Sequence, residues 1–529
     1  MNRLILKAVS VAAILLSSAA AKAEWHEATS DHFIVVGDVP PEDLRKRTVE
    51  LEQYDSMLRY LLGTEKAEPV TVFVLADQGA VVSAAGGGNS NIAGFYSPSY
   101  QRPVAVTPQR LDFYQEGFSA KVILLHEYAH HMLLSGTRVF MPGWAQEGLA
   151  EMFATAVLHE DGSVTIGDKN DARGPMMLHP SRWSVERMLS SDLDPPKDKY
   201  EAIEKYSRGW TLVHYLWMSG ERPGQYVEFI KELNKTLDPV ASGKKVFGDL
   251  KKLDRELDRY IRFHRYNLSK FGPDKLGKPS EVKVRTMSPG ENEIQRFRIA
   301  SAIGVTDKTA PPLAARARPI GEKYPDDPAV QVAIAEMEYD AKNDGLAEAA
   351  ADRTLAVDPD NLYAMVYKGR VAIRRAIELK DKPEEAKSWA AEGRKWFLRA
   401  NRVNPEHALP FVTYYDSFAA VGEPAPDDAV AGLFKATILV PQVPDLRIRS
   451  AIELVRHDEI DRAITMLAPT AFYGGDGKDG ENDALKLIRE MQASKDKEKV
   501  LAKATELKLD RVNEFIPPVK DEDKEKKAA

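Results

Sequence analysis

The chain has 529 residues, 43% of them hydrophobic and 29% charged, with a formal charge of −7 and no cysteine. That length is too great for one ordinary core, and the balance fits folded domains rather than wholesale disorder. An acidic total argues against a nucleic-acid binder, and the lack of cysteine excludes disulfides, thiolate metal ligands and lipid attachment through a cysteine.

Residues 1–23 read as a signal peptide. Arg3 and Lys7 supply positive charge, Ala8 to Leu16 a short apolar run, and Ala21-Lys22-Ala23 a small-x-small cleavage pattern, so Glu24 is the expected mature N-terminus. The run is shorter than the roughly 20 residues a spanning helix needs. No membrane span is therefore expected after cleavage, which would take the charge to −10 by removing Arg3, Lys7 and Lys22. The expected location is a bacterial periplasm or the medium outside.

Residues 24–270 mix strand and helix signals. His32 to Val36 and Val70 to Leu75 read as strands. Between them, Leu44, Val49, Leu51, Tyr54, Leu58, Leu61 and Leu62 place an apolar stripe on a helix from Glu42 to Leu62. Gly86 to Asn91 is a turn-rich break, followed by two short strand candidates, Ile92 to Tyr96 and Val104 to Thr107. From 118 to about 270 the pattern is mostly helical. Residues 271–310, with Gly272-Pro273, Gly277-Lys278-Pro279 and Ser288-Pro289-Gly290, read as a connector holding at most a short strand near Val282 to Arg285.

From 311 to 500 the chain turns to Ala-rich helices broken by prolines at 325, 359, 405 and 441, which lie 34, 46 and 36 residues apart. The 46 fits one repeat with an insertion near Lys380 to Pro383. This stretch resembles the tetratricopeptide family, whose period is about 34 with a proline after the second helix. Tyr363-x3-Tyr367-x-Gly369 and Ala347 to Leu355 fit its packing positions. Residues 501–529 read as a charged C-terminal tail, with Lys520 to Ala529 the most charged part.

The strongest chemical signal is His126-Glu127-Tyr128-Ala129-His130, inside a Gly- and Pro-free stretch, Ala120 to Ser135, that stops at Gly136. Positions i and i+4 share a helix face, so both imidazoles can reach one ion. Glu127 sits beside the first ligand, where its carboxylate can act on the attacking water. Zinc needs a third protein ligand. Leu133 and Gly136 stand where the metzincin pattern requires Gly and His, so that class is excluded. Pro142-Gly143 opens a second helix on which Glu147 and Glu151 share a face. A short reversal would bring Glu147 alongside to complete a His2Glu site, with Glu151 orienting a ligand imidazole. An oxyanion donor is sought on the stripe Tyr206, Trp210, His214 and Trp217, with Tyr206 the first choice and His214 the second. His131 is read as non-catalytic, and His26 and His32 have no partner at ligand spacing.

HEYAH followed by PGWAQEGLAE resembles the thermolysin-like Glu-zincin metallopeptidases, closely over residues 120–156 and loosely over the rest of 24–270. The resemblance implies Zn2+ held by His126, His130 and Glu147, Glu127 as general base, and a peptide or protein substrate. The expected fold class is an α+β zincin-like peptidase domain followed by an all-α, tetratricopeptide-like helical-repeat domain that can bind substrate or a protein partner. The competing expectation is a periplasmic repeat scaffold with a non-catalytic zincin-like domain.

Overall fold

A computed structural model describes residues 24–64, 68–84, 94–110, 119–136, 139–169, 181–190, 199–263, 266–379, 381–471, 482–509 and 515. The expected signal peptide, the Gly86 to Asn91 break and the Lys520 to Ala529 stretch lie outside the described residues.

Strands β1 (His26–Thr29), β2 (Phe33–Gly37), β3 (Val70–Leu75), β4 (Phe95–Ser97) and β5 (Val104–Pro108) come early. Then β6 (Val157–Leu158), β7 (Val164–Ile166) and β8 (Ser269–Phe271) form a small antiparallel sheet, and β9 (Lys283–Thr286) returns to the first. The main sheet has the order β4-β5-β3-β2-β1-β9, parallel at its centre (β2 with β3, β3 with β5) and antiparallel towards both edges. All six residues of β3 are buried. A central parallel strand is covered on both faces, which explains why Val70 to Leu75 reads as a continuous apolar run.

Helices α1 (Pro41–Leu62), α2 (Gln78–Ala84), α3 (Ala120–Gly136) and α4 (Gly143–Ala154) accompany the sheet. Pro41 opens α1, and Gly63, at φ 68°, closes it in the left-handed conformation. One sheet face (Val35, Val72, Val74, Ala105) packs on Leu44, Tyr54 and Leu58 of α1 and Tyr128, Ala129 and Met132 of α3. The alternate residues Val36, Phe73, Val104 and Val106 pack on Met287 and Ile299 across the other face. Further helices follow: α5 (Val185–Ser190), α6 (Lys199–Met218), α7 (Gln225–Thr236), α8 (Pro239–Phe247), α9 (Leu250–Phe263) and the short α10 (Pro273–Leu276).

Residues 271–310 do not behave as a connector. β9 pairs along the whole of β1, from Lys283 opposite Thr29 to Thr286 opposite His26. Next, α11 (Pro289–Ile303) opens on a complete capping box, in which Ser288 and Glu291 satisfy each other's backbone N–H groups. Ile294 and Phe297 of α11 belong to the first repeat core. The sheet therefore extends beyond residue 270, and the repeats begin before 311. The short strand read near Val282 to Arg285 is β9, but its place in the main sheet leaves no mark in the sequence, because Lys283-Val284-Arg285-Thr286 is largely exposed and carries no apolar alternation.

The repeats are helical hairpins. Helix α12 (Ala310–Lys323) folds back on α11. It is followed by the pairs α13 (Pro328–Asp340) with α14 (Asp344–Val357), α15 (Leu362–Glu378) with α16 (Pro383–Val403), α17 (Ala408–Ala420) with α18 (Asp427–Leu439), and α19 (Pro444–Arg456) with α20 (Ile460–Leu467). Each of Pro325, Pro359, Pro405 and Pro441 sits three residues before the first helix of a pair. Ala347, Ala350 and Ala351 are fully buried in the first core. A Cβ on Gly369 would come 2.9 Å from the Gly393 carbonyl oxygen, so α15 and α16 meet backbone to backbone there. The 46-residue spacing is not a loop insertion: α15 and α16 are 17 and 21 residues long, against 13 and 14 for α13 and α14. The extra residues lengthen the hairpin itself.

The last pair, α21 (Asp483–Ala493) and α22 (Lys497–Glu506), carries the structure past residue 500. Val500 and Ala504 are buried one turn apart, and Phe515 packs near Phe397. The expected tail therefore begins as packed structure. Among the described residues, no helix is long and apolar enough to cross a membrane.

Candidate metal centre

Helices α3 and α4 pack together, joined by a reversal that Asn234 of α7 clamps. The Phe140 N–H donates to Asn234 Oδ1 at 2.7 Å, and Asn234 Nδ2 donates back to the Phe140 carbonyl at 2.9 Å. Gly136 ends α3 where a Cβ would strike the Thr64 hydroxyl at 2.3 Å. Further along, α4 meets α6 at Gly148 and Gly209, where a Cβ on Gly148 would lie 2.5 Å from the Gly209 carbonyl oxygen. These close approaches fix the depth at which α4 presents Glu147 to α3.

The structure brings His126, His130 and Glu147 together. His126 Nε2 and His130 Nε2 are 3.1 Å apart, and Glu147 Oε2 is 3.4 Å from each. Ligand bonds of about 2.0–2.1 Å in a tetrahedral shell place neighbouring ligand atoms about 3.3 Å apart, so these three atoms are spaced as corners of such a shell. With neutral imidazoles and an ionised carboxylate, all three offer lone pairs, which is the state that holds zinc.

The electrostatics reflect three groups crowded at one point. Burial disfavours charge on His126, but the bonded Glu147 and the nearby Glu151 and Glu127 outweigh it and raise its pKa to about 9. Burial alone would favour a neutral Glu147, yet His130 and His126 hold it well below the usual carboxylate range. Glu127 is pushed up, by burial above all, against the pull of the two imidazoles and a backbone hydrogen bond from Tyr96. Glu151, 2% exposed, places Oε1 3.9 Å from His126 Nδ1, behind the ring rather than among the ligand atoms.

The other sequence candidates separate. Tyr206 is half-buried on α6, one turn before the Gly209 contact. His214 is fully buried, with Nε2 bonded to the Gly167 carbonyl at 2.9 Å and Nδ1 to the Tyr260 hydroxyl at 2.8 Å. Both ring nitrogens are engaged inside an aromatic core with Trp210 and Tyr266, which removes it as an oxyanion donor. His131 is fully buried and bonds the Tyr96 hydroxyl at 2.7 Å, and burial, helped by Arg59, pushes it down to about 3.

Two features went unread in the sequence. Tyr96, on edge strand β4, touches both Glu127 and His131 across 31 and 35 positions, and no local pattern announces that. His32 also gathers Glu52 and Asp55 of α1 into a second His–carboxylate cluster. The pair Glu52 and Asp55 at i and i+3 was the available signal.

No protein-family model and no curated protein matches the chain. Among solved structures, it is similar to a thermophilic TPR protein of Thermus thermophilus at 17% identity and a TM-score of 0.27, covering 38% of this chain and 93% of that one. That likeness is too slight to carry a fold or a function.

Proposed function

We propose that the chain is an exported zinc-dependent peptidase of the thermolysin-like, Glu-zincin type, with His126, His130 and Glu147 holding Zn2+ and Glu127 acting as general base. The observation that carries this reading is the 3.1–3.4 Å spacing of the three ligand atoms, with a second carboxylate one residue from the first ligand. When bound, the metal would polarise the scissile carbonyl and make the adjacent water acidic. Glu127 takes the proton of the attacking water and passes it to the leaving amine, and its burial raises its proton affinity. Glu151 steadies the His126 ring from behind. Tyr206 is the candidate to meet the developing oxyanion. Edge strand β4 offers its outer side to an extended peptide, and the pattern in residues 1–23 supports export.

The test is metal content of the purified chain beside its Glu147→Ala variant. One zinc per chain in wild type and a clear loss in the variant supports the reading. No zinc in wild type after incubation with the metal at neutral pH sinks it.

A second reading, a repeat scaffold whose N-terminal domain does not catalyse, is favoured by a cavity of about 1640 Å³ between the sheet and the repeats. Ile34, Thr71 and Phe73 line it from one side and Tyr363, His407 and Lys435 from the other, a setting suited to a peptide or protein partner. That reading prevails if Glu127→Gln changes no measurable activity of a zinc-loaded chain.

A further inference from the structure

The connection between β4 and β5 leaves the sheet and enters the repeats. Tyr100 packs against the apolar clusters of the later hairpins. Gln101 Nε2 donates to the Tyr367 hydroxyl at 3.1 Å, and the Tyr363 hydroxyl donates to the Gln101 carbonyl at 3.3 Å. Arg102 lies 4.9 Å from the Tyr363 ring centroid and pairs with Glu336 at 3.2 Å. Glu336 is on α13, and Tyr363 and Tyr367 are on α15, the first helices of successive hairpins. A main-chain carbonyl, an amide side chain, an aromatic ring and a guanidinium are thus read at successive positions across two repeats. This is how a repeat surface holds an extended peptide.

The same segment is tied to the metal centre at its other end. A Cβ on Gly94, just before β4, would lie 2.5 Å from Ile123 Cγ2, so the strand is pressed against α3. Tyr96 then bonds His131 through its hydroxyl and Glu127 through its backbone. Beside the segment a cleft of about 550 Å³ remains, walled by Tyr100, Gln101 and Arg102 on one side and Tyr339, Tyr367 and Arg449 on the other.

We propose that residues 98–103 are an intramolecular peptide ligand of the repeats, and that the repeats, by gripping Tyr100-Gln101-Arg102, hold edge strand β4 in place against α3. A partner's extended segment carrying an aromatic residue and an arginine two positions later fits the same contacts and, entering through the open cleft, would compete for them and free β4. The latch is built from contacts within the chain, so it stands or falls separately from the zinc reading.

The test uses the full chain. Hydrogen exchange is compared between wild type and a variant carrying Glu336→Gln and Tyr367→Phe, both substitutions lying in the repeats. The expected result is exchange of the β4 and β5 amides about tenfold faster, with α13 and α15 still protected. Unchanged β4 exchange in a variant with protected repeats overturns the proposal. Should those substitutions unfold the repeats, binding of an end-blocked peptide copying residues 97–103 decides. A full chain carrying Tyr100→Gly, Gln101→Gly and Arg102→Gly should bind it at least about tenfold more tightly than wild type, whose own segment competes at high effective concentration. Equal binding, or none to the vacated chain, overturns it.

Discussion

Two His–carboxylate clusters flank α3, and they differ in what already satisfies them. In the first, His126, His130 and Glu147 face one another at 3.1–3.4 Å. In the second, Glu52 accepts from the His32 ring at 2.9 Å and the His32 backbone at 3.0 Å, while Asp55 accepts from Arg59 and from the Tyr128 hydroxyl, each at 2.6 Å. Every oxygen of Glu52 and Asp55 has a donor, and a guanidinium stands where a metal would need its charge. Residue types alone would rank the two as equals. The donors around them leave the first free for the proposed cation and make the second an internal ion-pair network beneath the same helix. Tyr128, between Glu127 and Ala129, ties the two together.

The comparison breaks most sharply on metal content. His130→Ala should abolish stoichiometric zinc binding, whereas His32→Ala should leave it near one per chain, both read by elemental analysis after dialysis. Equal loss in both would put the metal, or its dependence on folding, somewhere other than the first cluster. Next in size is chemistry. Glu127→Gln should keep the zinc and lower peptide hydrolysis by about 10²–10⁴-fold, the usual worth of a general base. Asp55→Asn reverses the pattern. It strips a buried partner, 0% exposed, from Arg59, and should cost about 3–5 kcal/mol of stability in urea titration while the folded variant still binds zinc. Loss of zinc without loss of stability would show that the second cluster serves the metal after all.

A smaller effect carries a pH signature. Burial opposes charge on His32, but Glu52 and Asp55 raise its pKa above the ordinary value. The stabilisation is therefore complete below the unfolded-state pKa and fades as pH rises through the folded one. His32→Gln should destabilise by about 1 kcal/mol at pH 6 and by less at pH 9, after allowance for the partial exposure of the ring. A constant deficit would mean the imidazole acts only as a neutral donor.

The sequence exposed the first cluster and hid the second for the same reason. His126, His130 and Glu147 lie within 22 positions on two helices joined by one short turn, so helical spacing nearly determines their meeting. His32 reaches Glu52 from before β2 only because α1 lies back across the sheet. The proline spacing located every hairpin from α13 to α20, since a proline before each first helix is a local signal. A short strand near β9 was legible, but its pairing was not, and α11 was hidden, because their places are set by a partner strand some 250 positions away and by a hairpin core, neither of which leaves a periodic mark on exposed residues. Tyr96 and the loop after it belong to the same class, with meaning that lies wholly in what they touch.

The joint between sheet and repeats supplies an effect of similar size in which the substitution stabilises rather than destabilises. Glu68 is a half-buried carboxyl whose partner is the Ala408 N–H at 3.3 Å rather than a cation. Burial accordingly pushes it up to about 7. In the unfolded chain the same group ionises near 4.3. Between those values the folded state keeps a proton that the unfolded state has lost, so this group makes stability fall as pH rises. Glu68→Gln preserves the acceptor for Ala408 and cannot ionise. It should match wild type near pH 4 and exceed it at pH 8 by about 1–2 kcal/mol, a value kept below the full linkage limit for residual solvent access. Denaturant titrations at the two pH values read the difference. If the two proteins track each other across the range, Glu68 ionises in water as an ordinary surface acid, and the start of α17 does not close over it. If the gap opens as stated, an uncompensated acid is held at the seam where the hairpins meet the sheet, and its ionisation at neutral pH weakens that seam.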